Sequence, residues 1–282
     1  MRKIILVTIF LLLGGCSSQF VYNNMDWMIH WYLDDYIDLN KAQRNVFDER
    51  FAVWHSWHRK EELVKYREQL NSIRALVETN GFTHDNLQAQ FDQARTHWEN
   101  LRGHIAPDLA AMASSLSDAQ VKAMFEALAK DNKEEQDSQD KVYEKTEQER
   151  MDKRQKDIEQ NLSEWVGKLS DEQKSIIAGY VPQFRPNWQE WINYHKTVQG
   201  KAKAIFATRK ENPAFKEELL ALMTNPEAYR SEKMVANAEF NGRLYSALIA
   251  DMSKSLTDKQ RKKLLRKLDG YIEDISDLIG DD

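Results

Sequence analysis

Apolar residues recur at intervals of three and four along most of the chain, which places them on one face of an α-helix. The clearest stripe consists of Leu87, Phe91, Ala94, Trp98, Leu101 and Ile105. Further stripes run over residues 47–77, 188–205, 240–252 and 264–278. No run of five residues alternates as a β-strand would. The pattern predicts an all-α fold made of elongated helical bundles.

The composition supports an all-α fold and argues against some classes of binding partner. Only ten Gly and five Pro occur in 282 residues, too few for hairpin-rich β folds or doubly wound α/β folds. The 40 basic and 45 acidic residues give a formal net charge of −5, which argues against a nucleic-acid partner. The single cysteine excludes an internal disulfide framework and a Cys-based zinc site.

The most charged stretch spans residues 130–159, with 19 charged positions in 30 and no Gly or Pro. Such polarity is typical of a disordered linker, but the pairs Asp137–Lys141, Glu149–Lys153 and Asp152–Lys156 have favourable helical spacing. We therefore expect one charged helix over 119–165, about 70 Å long. It would connect an N-terminal helical subdomain, 25–118, to a C-terminal one, 166–282.

The first residues have the pattern of an export signal. Arg2 and Lys3 precede an apolar run from Ile4 to Leu13, which is too short to span a bilayer. Leu13-Gly14-Gly15-Cys16 resembles the bacterial lipobox, which implies a signal peptide over 1–15, a lipid on Cys16 and a tether over 16–24. Ser17 stands where sorted lipoproteins carry Asp for retention, so the resemblance implies the outer membrane, with the body in the periplasm. The alternative is a soluble secreted protein with a free thiol.

A pentapeptide, Leu-Ser/Thr-Asp-x-Gln, begins at Leu116, Leu169 and Leu256, and a looser copy begins at Leu39. Its spacing predicts helix N-caps, each with Gln at the third helical position; the caps are Asn40, Ser117, Ser170 and Thr257. The pattern resembles the Leu-Thr-x-x-Gln motif of Spy/CpxP-type periplasmic proteins, which implies binding of unfolded clients or of a sensor domain. The starts lie 77 and 87 residues apart, which indicates two tandem units, each bracketed by a motif pair.

Most of the chain also resembles an uncharacterised family of Gram-negative lipoproteins. The resemblance rests on the lipobox, the aromatic start from Tyr22 to Tyr36, the charged segment leading into Trp165-x-Gly167-x-Leu169-Ser170, and the paired caps. This resemblance implies a lipid-anchored all-α protein, and it does not imply any particular activity.

Four of the eight Trp lie within about thirty residues, near the tether; they are Trp27, Trp31, Trp54 and Trp57. They either pack together as core or form an interaction surface for a membrane or a partner. His55 and His58 have the spacing of a shared metal site, with Asp34 or Asp35 as third ligand, but His58 also continues an apolar stripe. His104 and Asp108 are spaced for a pH-sensitive pair.

No Gly-rich phosphate loop, H-E-x-x-H or G-x-S-x-G motif is present. We expect no catalytic residue, no metal and no cofactor. The leading hypothesis is a membrane-anchored, non-enzymatic protein that binds protein partners or clients, as a chaperone-like or envelope-stress accessory. The alternatives are a structural scaffold of an envelope complex and a hydrolase with an unrecognised site.

Overall fold

The computed structural model describes residues 16–280, which are helical almost throughout and contain no β-strand. The first helices are α1 Cys16–Asn23, α2 Met25–Asp34, α3 Lys41–Trp57, α4 Leu63–Glu78, α5 His84–Ala113 and α6 Asp118–Tyr143. The others are α7 Glu147–Val166, α8 Asp171–Tyr180, α9 Trp188–Ala207, α10 Phe215–Thr224, α11 Glu232–Lys254 and α12 Asp258–Gly280. A π-helical turn, His58–Glu62, joins α3 to α4. The predicted all-α fold is confirmed.

The predicted single helix over 119–165 is wrong, because the chain breaks at residues 144–146 into α6 and α7. The break is a helix start: the Thr146 side chain accepts a hydrogen bond from the Glu149 N–H, and Glu149 Oε2 accepts one from the Thr146 N–H at 2.9 Å. This capping box satisfies amides at the start of α7 that an uninterrupted helix would satisfy internally. The disordered-linker alternative is also wrong, since both sides of the break are helical.

The prediction of two subdomains connected by a rod is wrong as well. Each of three apolar cores combines residues from before 118 with residues from after 166. Val77 packs with Leu248 and Leu268 in the largest core. Ala110 packs with Phe215 in the second, and Leu63 packs with Leu278 in the third. The two halves therefore share their cores and form one interleaved body.

The packing of the helices follows a repeated plan. Within the first half α3 packs on α5, and within the second half α8 packs on α11. Across the halves α4 packs along α12, α9 packs along α6, and α5 packs against α11. In chain order α4 corresponds to α9, α5 to α11 and α6 to α12. Exchanging corresponding helices turns the α4–α12 pair into the α9–α6 pair and leaves the α5–α11 pair unchanged, as a two-fold axis would. The plan agrees with two tandem units and adds that each unit supplies a helix to the other.

Candidate functional site

The candidate site lies at the N-terminal end of the described chain. The predicted signal peptide, residues 1–15, lies outside the described residues, and α1 begins at Cys16. None of the helices within 16–280 is long and apolar enough to cross a bilayer. Helices α1 and α2 together form an arm over 16–34 that is interrupted only at Asn24. The position proposed for lipid attachment is thus continuous with the helical body.

Tyr22 is the most deeply buried of the side chains that hold this arm against the body. Its side chain is almost fully buried, and its hydroxyl lies 2.9 Å from Nδ1 of His58. The Tyr22 carbonyl oxygen lies 3.2 Å from Nε2 of His55, and Arg59 donates to the Asn23 side chain at 2.5 Å. Burial raises the pKa of Tyr22 to about 12 and lowers the pKa of His58 to about 4. Both groups are therefore neutral near pH 7, and the tautomer of His58 decides which of them donates the hydrogen bond.

The four predicted surface Trp residues divide between core and surface. Trp27 and Trp31 on α2 are 56% and 66% exposed. Trp54 is buried and donates its indole N–H to Asp108 at 2.9 Å. Trp57 is half-buried and stacks on His104, with ring centroids 3.7 Å apart. The single four-Trp surface is therefore wrong, because the α3 periodicity that exposes Val53 turns Trp54 inward against α5.

A shallow groove lies between α2 and α3, next to Trp27. Its apolar lining comes from Met25, Trp27 and Phe51, and its polar lining includes Asp26 and Asp48. Nε2 of His30 lies 2.5 Å from Asp48, which fixes one wall of the groove. The groove combines ring faces with carboxylates, one of which is paired with His30.

His55 and His58, which were predicted to share a metal ion, instead use one ring nitrogen each to contact Tyr22. Asp34, one predicted third ligand, instead pairs with Arg44 at 2.9 Å. Within residues 16–280 no three His, Cys, Asp or Glu side chains are grouped so that they could share a metal ion. The predicted His104–Asp108 pair is also replaced, since His104 stacks on Trp57 and Asp108 accepts from Trp54.

Sequence reasoning missed a buried ionisable pair beneath the arm. Glu62 closes the π-turn, has no exposed side-chain surface and accepts from Lys65 Nζ at 2.5 Å. Its Oε2 lies 3.7 Å from Nδ1 of His97, too far for a hydrogen bond, and Oε2 and both His97 nitrogens have no partner. Burial lowers the pKa of His97. A π-turn re-aims side chains without a sequence signal that would reveal it.

The pentapeptides are joined in pairs by a reciprocal amide contact, which we call a glutamine clasp. In the second clasp Nε2 of Gln173 donates to Oε1 of Gln260 at 3.0 Å, and Gln260 returns the bond at 2.9 Å. Each amide also donates to a backbone carbonyl two residues before the other motif's N-cap, at Ser255 and at Lys168. Each Oε1 accepts from the N-cap N–H of its own motif. Every donor and acceptor of both side chains is therefore satisfied.

The first clasp has the same connections. Gln43 and Gln120 donate to each other at 3.2 and 2.7 Å, and their second N–H groups donate to the carbonyls of Ser115 and Asp38. The predicted caps Asn40, Ser117, Ser170 and Thr257 all accept from the Gln N–H three residues later. Each clasp thus joins two helix starts that are far apart in sequence, and it is a structural element.

The family model of DUF6279, a family of unknown function, matches residues 35–234. The chain belongs to this family. The match covers the first clasp, the π-turn and Gln173 of the second clasp, whereas α1, α2 and α12 lie outside it or at its edge. No curated protein and no solved structure matches the chain.

Proposed function

We propose that this DUF6279 protein is an outer-membrane lipoprotein whose helical body faces the periplasm and binds protein without catalysis. The lipobox around Cys16 and the Ser17 beside it support the location. The chaperone-like or envelope-stress role is supported by the resemblance of the clasped motifs to the Leu-Thr-x-x-Gln pattern of Spy/CpxP-type proteins. A scaffold role in an envelope complex is the main alternative.

The observation that carries protein binding is the incomplete cover of the apolar stripe on α5. Leu87 begins the stripe and is buried, but Phe91 is 40% exposed and Trp98 is 57% exposed. Leu101 and Ile105 continue the same face and are half-buried. A contiguous apolar helix face that its own fold leaves open is typical of a surface that receives an apolar partner. Only the edge of Phe91 is covered, by Tyr245 of α11, with ring centroids 6.4 Å apart.

A photocrosslinking residue at position 98 tests this proposal in intact cells. We expect crosslinked proteins from position 98 and far fewer from position 100, because Asn100 is exposed on the opposite side of α5. Many unrelated products would support the chaperone-like role, and one stoichiometric product would support the scaffold. Equal crosslinking at 98 and 100, or none at 98, would contradict protein binding on this face.

Lipid attachment is tested separately by Cys16→Ser. We expect this variant to lose acyl labelling and to leave the membrane fraction for the soluble periplasmic fraction, because no described helix can hold the body in a bilayer. Ser17→Ala is the matched control and should remain membrane-bound. A Cys16→Ser protein that fractionates like the parent would show that Cys16 is not the anchor.

A further inference from the structure

The arm carries one uncharged, aromatic face that the body leaves uncovered. Phe20, Trp27 and Trp31 are 62%, 56% and 66% exposed. The Asn24 N–H donates to the Phe20 carbonyl at 3.1 Å as the last bond of α1, and α2 resumes at Met25 after this single non-helical residue. Trp27 and Trp31 lie one turn and about 40° apart on α2, and Phe20 lies one turn before the break on α1. We call them the outer face of the arm.

The inner face of the same arm is already occupied. Tyr22 lies nearly opposite Phe20 on the helix and is the buried anchor described above. The arm therefore cannot rotate to bury its three rings without breaking the contacts of Tyr22 with His58 and His55. Whatever covers the outer face must come from outside the described chain.

The position of Cys16 indicates which environment that is. The helical register puts position 16 on the outer face, one turn or about 6 Å before Phe20, and Trp31 lies about 22 Å further along than Cys16. Asn24, near this face, carries no charge, and the neighbouring Asn23 accepts a hydrogen bond from Arg59 of the body. Asp34 pairs with Arg44. An uncharged face with Trp and Phe is suited to the headgroup region of a bilayer.

We infer that Phe20, Trp27 and Trp31 lie in the interface of the membrane that holds the acyl chain, so that the arm rests along the surface and fixes the orientation of the body. This inference rests on the proposed lipidation of Cys16. The acyl chains and the three rings then act as two attachments, and the second one limits how the body can turn about its anchor.

Fluorescence quenching by lipid tests the inference. The lipidated protein is reconstituted into phosphatidylethanolamine and phosphatidylcholine vesicles whose acyl chains carry bromine, which quenches nearby Trp emission. We expect quenching in the parent and the loss of most of it in Trp27→Phe/Trp31→Phe, which keeps the apolar face and removes the reporters. Trp98→Phe/Trp191→Phe removes two other exposed Trp residues and should retain the quenching.

Flotation of the same samples separates this inference from the proposed anchor. Protein that fails to float with the vesicles would show that lipidation at Cys16 is wrong. Protein that floats but is not quenched, or whose quenching survives Trp27→Phe/Trp31→Phe, would overturn the membrane contact while leaving the anchor in place. Absent quenching together with capture of a protein in intact cells by a crosslinker at position 27 would assign the outer face to a protein partner instead.

Discussion

Replacing Gln173 by Leu should lower the free energy of unfolding by about 2–4 kcal/mol. Gln173 has no exposed surface and satisfies four groups at once. The substitution removes its bonds to the Ser170 N–H, the Ser255 carbonyl and both polar atoms of Gln260. Unpaired buried polar groups cost about 1–3 kcal/mol each, and part of this loss is recovered by relaxation and by the apolar side chain. Urea denaturation followed by circular dichroism measures the change.

Two further variants give this prediction its controls. Thr257→Ala removes a cap and the hydrogen bond from the Thr257 hydroxyl to Gln260 Oε1 but keeps both clasp amides, and it should cost about 0.5–2 kcal/mol. The double variant Gln173→Leu/Gln260→Leu should be less destabilised than the sum of the two single variants, because each single variant leaves the other amide unpaired. A Gln173→Leu loss no larger than that of Thr257→Ala would show that the clasp adds nothing beyond capping.

Acidification from pH 7 to pH 5 should lower the free energy of unfolding by about 2 kcal/mol through His58 alone. The folded-state pKa of about 4 lies below the ordinary value of 6.5, so the unfolded chain binds the proton more readily between these two values. Stability is therefore full above pH 6.5 and falls as the pH drops toward 4. Burial also lowers the pKa values of His55 and His97, which contribute with the same sign.

His58→Gln identifies the part of the pH dependence that belongs to this residue. Gln can still form a hydrogen bond with the Tyr22 hydroxyl, as donor or acceptor, and it does not titrate, so the difference in unfolding free energy between pH 7 and pH 5 should shrink. His84→Gln is the matched control, because His84 is at the start of α5 with a 40% exposed side chain, and should leave the difference unchanged. A parent protein equally stable at both pH values would contradict the burial of neutral His58.

The all-α fold could be predicted from the sequence, because helix caps and apolar periodicity depend on residues that are close together in the chain. The break before α7 was not predicted, although Thr146 and Glu149 form the same kind of capping box as the pentapeptides. The charge pairs on both sides of it have the spacing of a continuous helix, and they favoured one helix over two. The spacing of those pentapeptides predicted two tandem units, each with a pentapeptide at its start and another near its end. It did not predict that the Gln side chains meet.

The candidate site was less predictable because its contacts are distant in sequence. Trp54 and Trp57 look like Trp27 and Trp31 as local patterns, and only packing against Asp108 and His104 distinguishes them. In the sequence, Glu62 ends a run of four charged residues, Arg59-Lys60-Glu61-Glu62, which is typical of a solvent-exposed helix face. The π-turn rotates it beneath the arm, against His97.

The pairing of α4 with α12 constrains the order in which the chain acquires its structure. During synthesis the apolar face of α4 emerges early, yet its partner belongs to the final helix, about 180 residues later. Such non-local contacts slow folding and leave intermediates prone to aggregation. The nascent chain must therefore be kept soluble until α12 is released, and a truncation before α12 removes one wall of the largest core, which contains Val77 and Leu268.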